Sequence, residues 1–374
     1  MKNKLAFSIL ILLAILFTSC APKWEITLLS SEQSPQMITS DDVAYYLEKS
    51  TEEIEELPLG QVLYAKGYTL IGGISFTKEA GSTETYQWDT IASETKITSD
   101  GTIKISGEDI RPKSIQVQSA RHFEIQYSIM DIAPTMAHAL GLPNLPEAVG
   151  VNRVDGSADY GVMILLDGLQ YEKIMQLIEA GKLSFFQQHQ DSIKKGLTVY
   201  PSISTSASAA LLTSAPPQVN GVFGYGYRST ETVPLFDLAT EAGLSVKAVE
   251  GDSLAFNLRN AETVLNGDRD GDGFSDDNVF ENSLDVIQSG MPQLMYIHFH
   301  NIDDLGHSFG PNSPEYAEAI IHVNGYLVEI YETLPSDTLI AIFADHGMHT
   351  TKEGGNHGKM KADDLIIPVL FIQK

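Results

Sequence analysis

The rhythm of apolar residues along this 374-residue chain changes near position 160. Before it, short runs at 24–29 and 102–106 alternate or cluster in the β-branched style, with Gly, Ser and Asp between them, as strands of a small sheet do. Residues 41–56 keep helical spacing, with Ser40 at the N-cap position. From Tyr160 the signal is different. The run 161–166 (GVMILL) is apolar throughout, as a strand buried on both faces must be. An amphipathic stretch follows at 171–180. Further apolar runs at 246–249, 294–299, 339–343 and 366–371 predict strands, and periodic stretches at 207–213, 234–242, 279–289 and 313–334 predict helices. Strands alternating with helices predict an α/β fold, a mostly parallel sheet with helices on both faces. That core spans 160–374. A small N-terminal β-rich or α+β domain is expected at 20–125, with a connecting segment at 126–159. No internal repeat is present.

The first residues belong to neither domain. Lys2 and Lys4 precede an apolar run at 5–17, followed by Thr18, Ser19 and Cys20. This is the order of a secretory signal peptide, expected at 1–19, and the run is too short for a permanent membrane span. Cys20 is the only cysteine, so no intrachain disulfide exists. Its place resembles that of the lipidated cysteine of a bacterial lipobox, with Phe17 where Leu is usual. The expectation is an extracytoplasmic protein, lipid-anchored to the bacterial cell membrane. Ordinary cleavage with Cys20 left free is the alternative.

Charge narrows the partners. The net charge is −25, and loss of 1–19 removes two lysines and no acids. Nucleic acid is excluded on this ground, because phosphate contacts need clustered Lys and Arg. An anionic small-molecule substrate would need a local source of positive charge, which metal ions supply.

The candidate donors sit where strands end. Seven of the ten histidines lie between His298 and His357. Asp167 follows the strand ending at Leu166. Asp303 and His307 follow the strand ending at Phe299, and Asp345 and His346 follow the strand ending at Phe343. His357 lies in a Gly-rich loop, GGNHG, which lets backbone approach closely. In an open α/β sheet, ligands bind beyond the carboxyl ends of strands. Carboxylate and imidazole without thiolate suit zinc and other borderline divalent ions, and six such groups suffice for two metals. His298, His300 and His349 read as groups that orient ligands by hydrogen bonds, and His322 as structural.

Five ordered motifs carry a resemblance: ILLDGL (164–169), YPSISTSASAALLTSAPPQVNGV (200–222), DDLGHSFGP (303–311), ADHGM (344–348) and GNHG (355–358). Together they resemble the alkaline phosphatase superfamily, nearest to type I phosphodiesterases and nucleotide pyrophosphatases, with phosphonoacetate hydrolase nearby. The resemblance implies one metal, expected to be zinc, on Asp303, His307 and His357. It implies a second on Asp167, Asp345 and His346, with the nucleophile bridging toward it. The family nucleophile lies three residues after the motif's proline, which from Pro201 gives Ser204; Thr205 and Ser202 remain alternatives. The implied reaction is metal-dependent hydrolysis of a phosphoester through a phosphoserine intermediate. A phosphatase, a phosphonoacetate-type hydrolase and a surface binding protein without turnover are the other readings.

Three features stand apart. Many relatives carry an Asn to hold a phosphoryl oxygen where this chain has Tyr225, and Arg228 is the nearest cation. Residues 127–150 resemble a piece that usually follows the family's last core strand, which predicts packing beside 366–371. Finally, Asp268, Asp270, Asp272 and Asp276, with Gly273, match the opening of a calcium loop, although Val279 stands where the bidentate Glu belongs.

Overall fold

The structure, a computed structural model, describes residues 23–49, 54–119, 124–251, 254–265, 267–269, 271 and 273–374. The expected signal peptide, Cys20, Asp270 and Asp272 lie outside these residues. Among the described residues, no helix is long and apolar enough to cross a membrane.

The core is an eight-stranded sheet. Its strands are β1 (Tyr127–Ser128), β2 (Tyr160–Leu166), β3 (Lys194–Leu197), β4 (Val246–Glu250), β5 (Glu262–Leu265), β6 (Leu294–Phe299), β7 (Thr338–Phe343) and β8 (Ile366–Gln373), in the spatial order β1-β3-β8-β7-β2-β6-β4-β5. β2 runs parallel to both β6 and β7, and β4 runs parallel to β5 and β6. β6 and β7 are buried along their whole length, as continuous apolar runs require. Leu166 pairs with Phe299 and Leu165 with Phe343, so three strands end at one level.

β8 departs from the parallel plan, pairing antiparallel with β7 and β3. This reversal has a functional consequence. The carboxyl ends of β2, β4, β6 and β7 form one edge, and residues preceding an antiparallel strand arrive at that same edge. His357 reaches it in this way.

Helices cover both faces in two mutually packed groups. One contains α1 (Ser204–Thr213), with Ile132–Ala139 and Leu235–Glu241; the other contains α2 (Asp276–Gly290), α3 (Asn301–Phe309) and α4 (Pro314–Thr333). α4 illustrates the local logic. Ser313 caps it by accepting from Tyr316 N–H at 3.1 Å, Pro314 opens it, and Tyr316, Ala319, Ile320, Val323, Leu327 and Ile330 bury one stripe. Each large aliphatic on that stripe contributes about 1.5–3 kcal/mol.

The segment before the core is tied down by one buried carboxylate. Asp131 accepts from Ser128 N–H and Val151 N–H, each at 2.9 Å, and pairs with Arg153 at 2.6 Å. Tyr127 packs its ring 5.9 Å from that of Phe371.

The N-terminal domain holds two small sheets, one of five strands and one of four. Its strands include Glu25–Ser30 and Ile103–Ile105, close to the expected runs. The expected helix is shorter than 41–56. It covers Ser40–Lys49, and Glu56–Pro58 is already a strand, since a residue before proline is driven out of the helical region. Its cap is Thr39 rather than Ser40: Asp42 accepts from Thr39 N–H at 2.8 Å, and Asp42 N–H donates to Thr39 Oγ1 at 3.3 Å.

Candidate active site

Asp167, Ser204, Asp303, His307, Asp345, His346 and His357 converge at the sheet edge. Asp167 leaves β2, Asp345 and His346 leave β7, and Asp303 and His307 lie one turn apart on α3, which begins two residues after β6. Gly168 permits the approach of α3. It sits at φ +69°, and a Cβ there would stand 2.6 Å from Asp303 Oδ1.

Side-chain nitrogens show what the cluster is built to hold. His307 Nδ1 lies 3.1 Å from Gly355 O, His346 Nδ1 3.0 Å from Gly347 O, and His357 Nδ1 3.0 Å from Ser202 O. A carbonyl beside Nδ1 requires an N–H there, so each neutral ring turns the lone pair of Nε2 into the site. His307 Nε2 and His357 Nε2 then face each other at 3.1 Å, with Asp303 at 3.2 and 3.9 Å. His346 Nε2 stands 3.4 Å from both Asp167 Oδ1 and Asp345 Oδ2. Asp167 Oδ1, Asp303 Oδ1 and Asp345 Oδ2 are buried without a hydrogen-bond partner. Lone pairs meet lone pairs, which asks for cations.

The spacing also fits. Ligands about 2.1 Å from a tetrahedral zinc stand roughly 3.4 Å from one another. Asp167, Asp345 and His346 form one compact donor group and Asp303, His346 and His357 another, with His307 closing the second.

Without a metal, protons must fill the gap. Burial raises Asp167 well above the carboxylate range, and the charges of Asp345 and Asp303 add to this. Burial opposes a charge on His346, yet Asp345, Asp167 and Asp303 outweigh it and lift the ring to about 9. His357 falls to about 4 through burial and the neighbouring His346. Asp303 is buried, but the hydrogen bond from His307 and the nearby imidazoles hold it at about 2.

Ser204 opens α1, and its Oγ lies 3.3 Å from His346 Nε2. The neighbouring hydroxyls point elsewhere: Ser202 Oγ donates to Lys359 O at 3.2 Å and Thr205 Oγ1 to Gly224 O at 3.1 Å.

Sequence reasoning missed Glu250, because the apolar run at 246–249 stops one residue short of it. It is buried at the end of β4, accepting from His298 Nδ1 at 2.9 Å and His300 Nε2 at 3.2 Å. His298 Nε2 in turn faces Asp167 Oδ2 at 3.0 Å. Glu250 thus orients Asp167 through His298. Changing Glu250 to Gln is expected to weaken divalent-metal binding about 10–100-fold, measured by competition with a chromophoric chelator. His349 plays a comparable part for the His357 loop: its Nδ1 meets Asp364 Oδ1 at 2.7 Å, while Asp364 Oδ2 accepts from Lys359 N–H at 2.7 Å. His322 is exposed on α4, away from the cluster.

The remaining candidates divide. Tyr225 stands partly exposed at the mouth; burial of its hydroxyl and the charges of Asp303, Asp167 and Asp345 push its pKa up. Arg228 is not brought into the cluster, because its guanidinium donates to Leu254 O at 3.0 Å and Ala255 O at 2.7 Å. The helix expected at 279–289 meets a correction at Asp276. α2 begins there rather than at Val279, and both Asp276 oxygens accept from the start of α3, from His300 N–H at 2.7 Å and Asn301 N–H at 3.2 Å. Asp268 accepts from Gly271 N–H and Gly273 N–H within its own loop.

Residues 246–369 match the type I phosphodiesterase / nucleotide pyrophosphatase family. The match takes in the part of the core sheet from β4 into β8. The matched span contains Glu250, Asp303, His307, Asp345, His346 and His357, and leaves Asp167 and Ser204 upstream. The catalytic subunit of human GPI ethanolamine phosphate transferase 3 is 32% identical over 104 residues, 28% of this chain and 8% of that protein. This chain therefore spans only a small part of that relative. Among solved structures, phosphonoacetate hydrolase from Sinorhizobium meliloti, in complex with phosphonoformate, aligns at 17% identity with a TM-score of 0.44, covering 55% of this chain and 60% of that one. The C-terminal periplasmic domain of EcEptC from Escherichia coli, in complex with zinc, aligns at 15% identity with a TM-score of 0.42, covering 62% and 77%.

Proposed function

We propose that this chain is a two-metal phosphoesterase in which Ser204 attacks phosphorus and water then releases the phosphoryl group. The observation that carries the reading is the position of the Ser204 hydroxyl, 3.3 Å from His346 where the two donor groups meet. Asp303, His307 and His357 would hold one divalent ion, and Asp167, Asp345 and His346 the other, with zinc the metal their chemistry favours. Such ions supply the Lewis acidity that ionises a serine hydroxyl at neutral pH and neutralises phosphoryl oxygens. Ser204 itself sits at the start of a ten-residue helix, whose free N–H groups favour an anion. Its oxygen forms a bond to phosphorus as the ester oxygen leaves and takes up a proton. Attack by water on phosphoserine restores the hydroxyl. Tyr225 at the mouth is suited to donate to a phosphoryl oxygen.

A second reading shares the first half of this reaction. The human relative's name specifies transfer of ethanolamine phosphate, so an alcohol in place of water is the natural variant. A binding protein without turnover is disfavoured, because every donor of both groups is present. Extracytoplasmic action from a lipid anchor at Cys20 completes the proposal.

The test is turnover of an aryl phosphodiester beside the matching monoester, with zinc, in the presence and absence of ethanolamine. Zinc-dependent release of the aryl alcohol is expected, and trapping of product by ethanolamine would identify a transferase. No turnover of either ester by zinc-loaded protein would overturn the reading.

A further inference from the structure

Contacts from outside the cluster steady its donors on two sides. In the N-terminal domain, Trp88 is buried and donates its indole N–H to Met360 O at 2.8 Å, three residues after His357. Tyr64 lies 6.2 Å, ring to ring, from Tyr200, which precedes Pro201 and the Ser204 turn. On the other side, the Asp276 carboxylate holds the start of α3. Beside Asp276 the helices α2, α3 and α4 leave a cavity of about 500 Å³ among them, within the size range of small-molecule sites.

This cavity is turned away from the metal donors. Asn301 and Leu305 line it from α3, and residues four apart share one helix face. Asp303 and His307, also four apart, fall on the opposite face of the same helix, where they meet each other at 3.2 Å. From α4 the lining residues are Glu315, Glu318, Ala319, His322, Val323 and Tyr326, at the i, i+3, i+4, i+7 spacing of a single face. That face has two characters. Ala319 and Val323 are buried, and Tyr326 is held by stacking on Phe280, with ring centroids 4.5 Å apart and planes at 15°. Glu315 and Glu318 are exposed at the rim, and Asp276 and Asp277 add carboxylates from α2. Among the described residues lining the cavity there is no Lys or Arg.

We propose that this cavity is a second binding site, separate from the metal cluster, for an organic cation with an apolar body. The body lies against Leu305, Ala319 and Val323, and its ammonium reaches Glu315 and Glu318. Complementarity asks for both parts. An anion would meet the carboxylates with no Lys or Arg on the lining to offset them. A neutral molecule would leave the attraction of the rim unused. An ammonium without an apolar body would gain little, because exposed ion pairs are weak and burial of methylenes supplies the larger share. The inference stands apart from the phosphoesterase reading, since it uses none of the metal donors.

Calorimetry on the full chain in excess zinc, which occupies the acidic cluster, tests this with phenethylamine, phenethyl alcohol, phenylacetate and ethanolamine. Phenethylamine is expected to bind at least about tenfold more tightly than any of the others. Glu315→Gln combined with Glu318→Gln removes two exposed charges with little change of shape. It is expected to weaken phenethylamine at least about threefold and to leave zinc affinity unchanged. Ala319→Leu fills the cavity from a buried position and is expected to weaken the amine and the alcohol together. The alcohol or ethanolamine binding as tightly as phenethylamine would overturn the class of ligand. An amine that binds only before zinc is added would belong to the metal cluster and overturn the separate site. Undiminished affinity in the paired Gln variant would overturn the location, whether or not Ala319→Leu folds.

Discussion

Ser204→Ala is expected to lower kcat by about 10⁴-fold or more while leaving two metals bound per chain. The two parts of that result belong together. Loss of a nucleophile removes the covalent step itself, so what remains is whatever the donors and bound ions can do with water alone. Metal content should not follow, because six carboxylate and imidazole donors remain after the hydroxyl has gone. Metal analysis beside steady-state kinetics separates the outcomes. Lost activity with lost metal would mean that Ser204 is structural, and retained activity would return Thr205 or Ser202 to candidacy. Neither alternative is well placed, since their hydroxyls are bonded to Gly224 O and Lys359 O.

Removing the metals should have the second large effect, on stability as well as turnover. An ion present at a thousandfold excess over its Kd stabilises the folded state by about 4 kcal/mol, and chelation forfeits this. What is left depends on pH in a definite direction. His346 in the metal-free fold titrates at about 9, above the ordinary 6.5, so the folded state holds its proton more tightly than the unfolded chain does. That stabilisation is complete below pH 6.5 and disappears as pH rises toward 9, by on the order of 3 kcal/mol. Asp167, also raised, acts in the same sense. Thermal melts of chelator-treated protein from pH 6.5 to 9 are therefore expected to fall steadily in Tm, with the zinc-loaded protein much flatter. A metal-free Tm independent of pH would contradict the proton-for-metal account of the cluster.

Much of this site was legible because apolar strand runs announce their own ends. Asp167 and Asp345 follow runs that have no other plausible boundary, and the C-terminal edge of a parallel sheet does the rest. Glu250 was lost for the converse reason, since a single charged residue at the end of a run reads as the first of the loop. The small strand β3, with sequence KKGL, offers a single apolar residue; its pairing with β8 and β1 makes it a strand. Asp276 was hard to place, because a short acidic run looks the same whether it faces an ion or caps the next helix. The larger blind spot was the N-terminal domain. Nothing local in Trp88 or Tyr46 says what they will touch, because that partner is fixed by tertiary packing rather than by spacing.

The Trp88 to Met360 hydrogen bond joins residues 272 positions apart, and this sets a timetable for biosynthesis. At about 5–20 residues per second, roughly 15–50 s separate the emergence of the indole from that of its acceptor. Throughout that interval the N-terminal domain has its own two sheets but no second wall, with Trp88 and Tyr64 deprived of the surfaces that later bury them. A nascent chain in that condition exposes apolar surface until the segment carrying Met360 has been made. Residues 355–374 therefore finish two jobs at once, delivering the His357 loop to the sheet edge and closing the N-terminal domain.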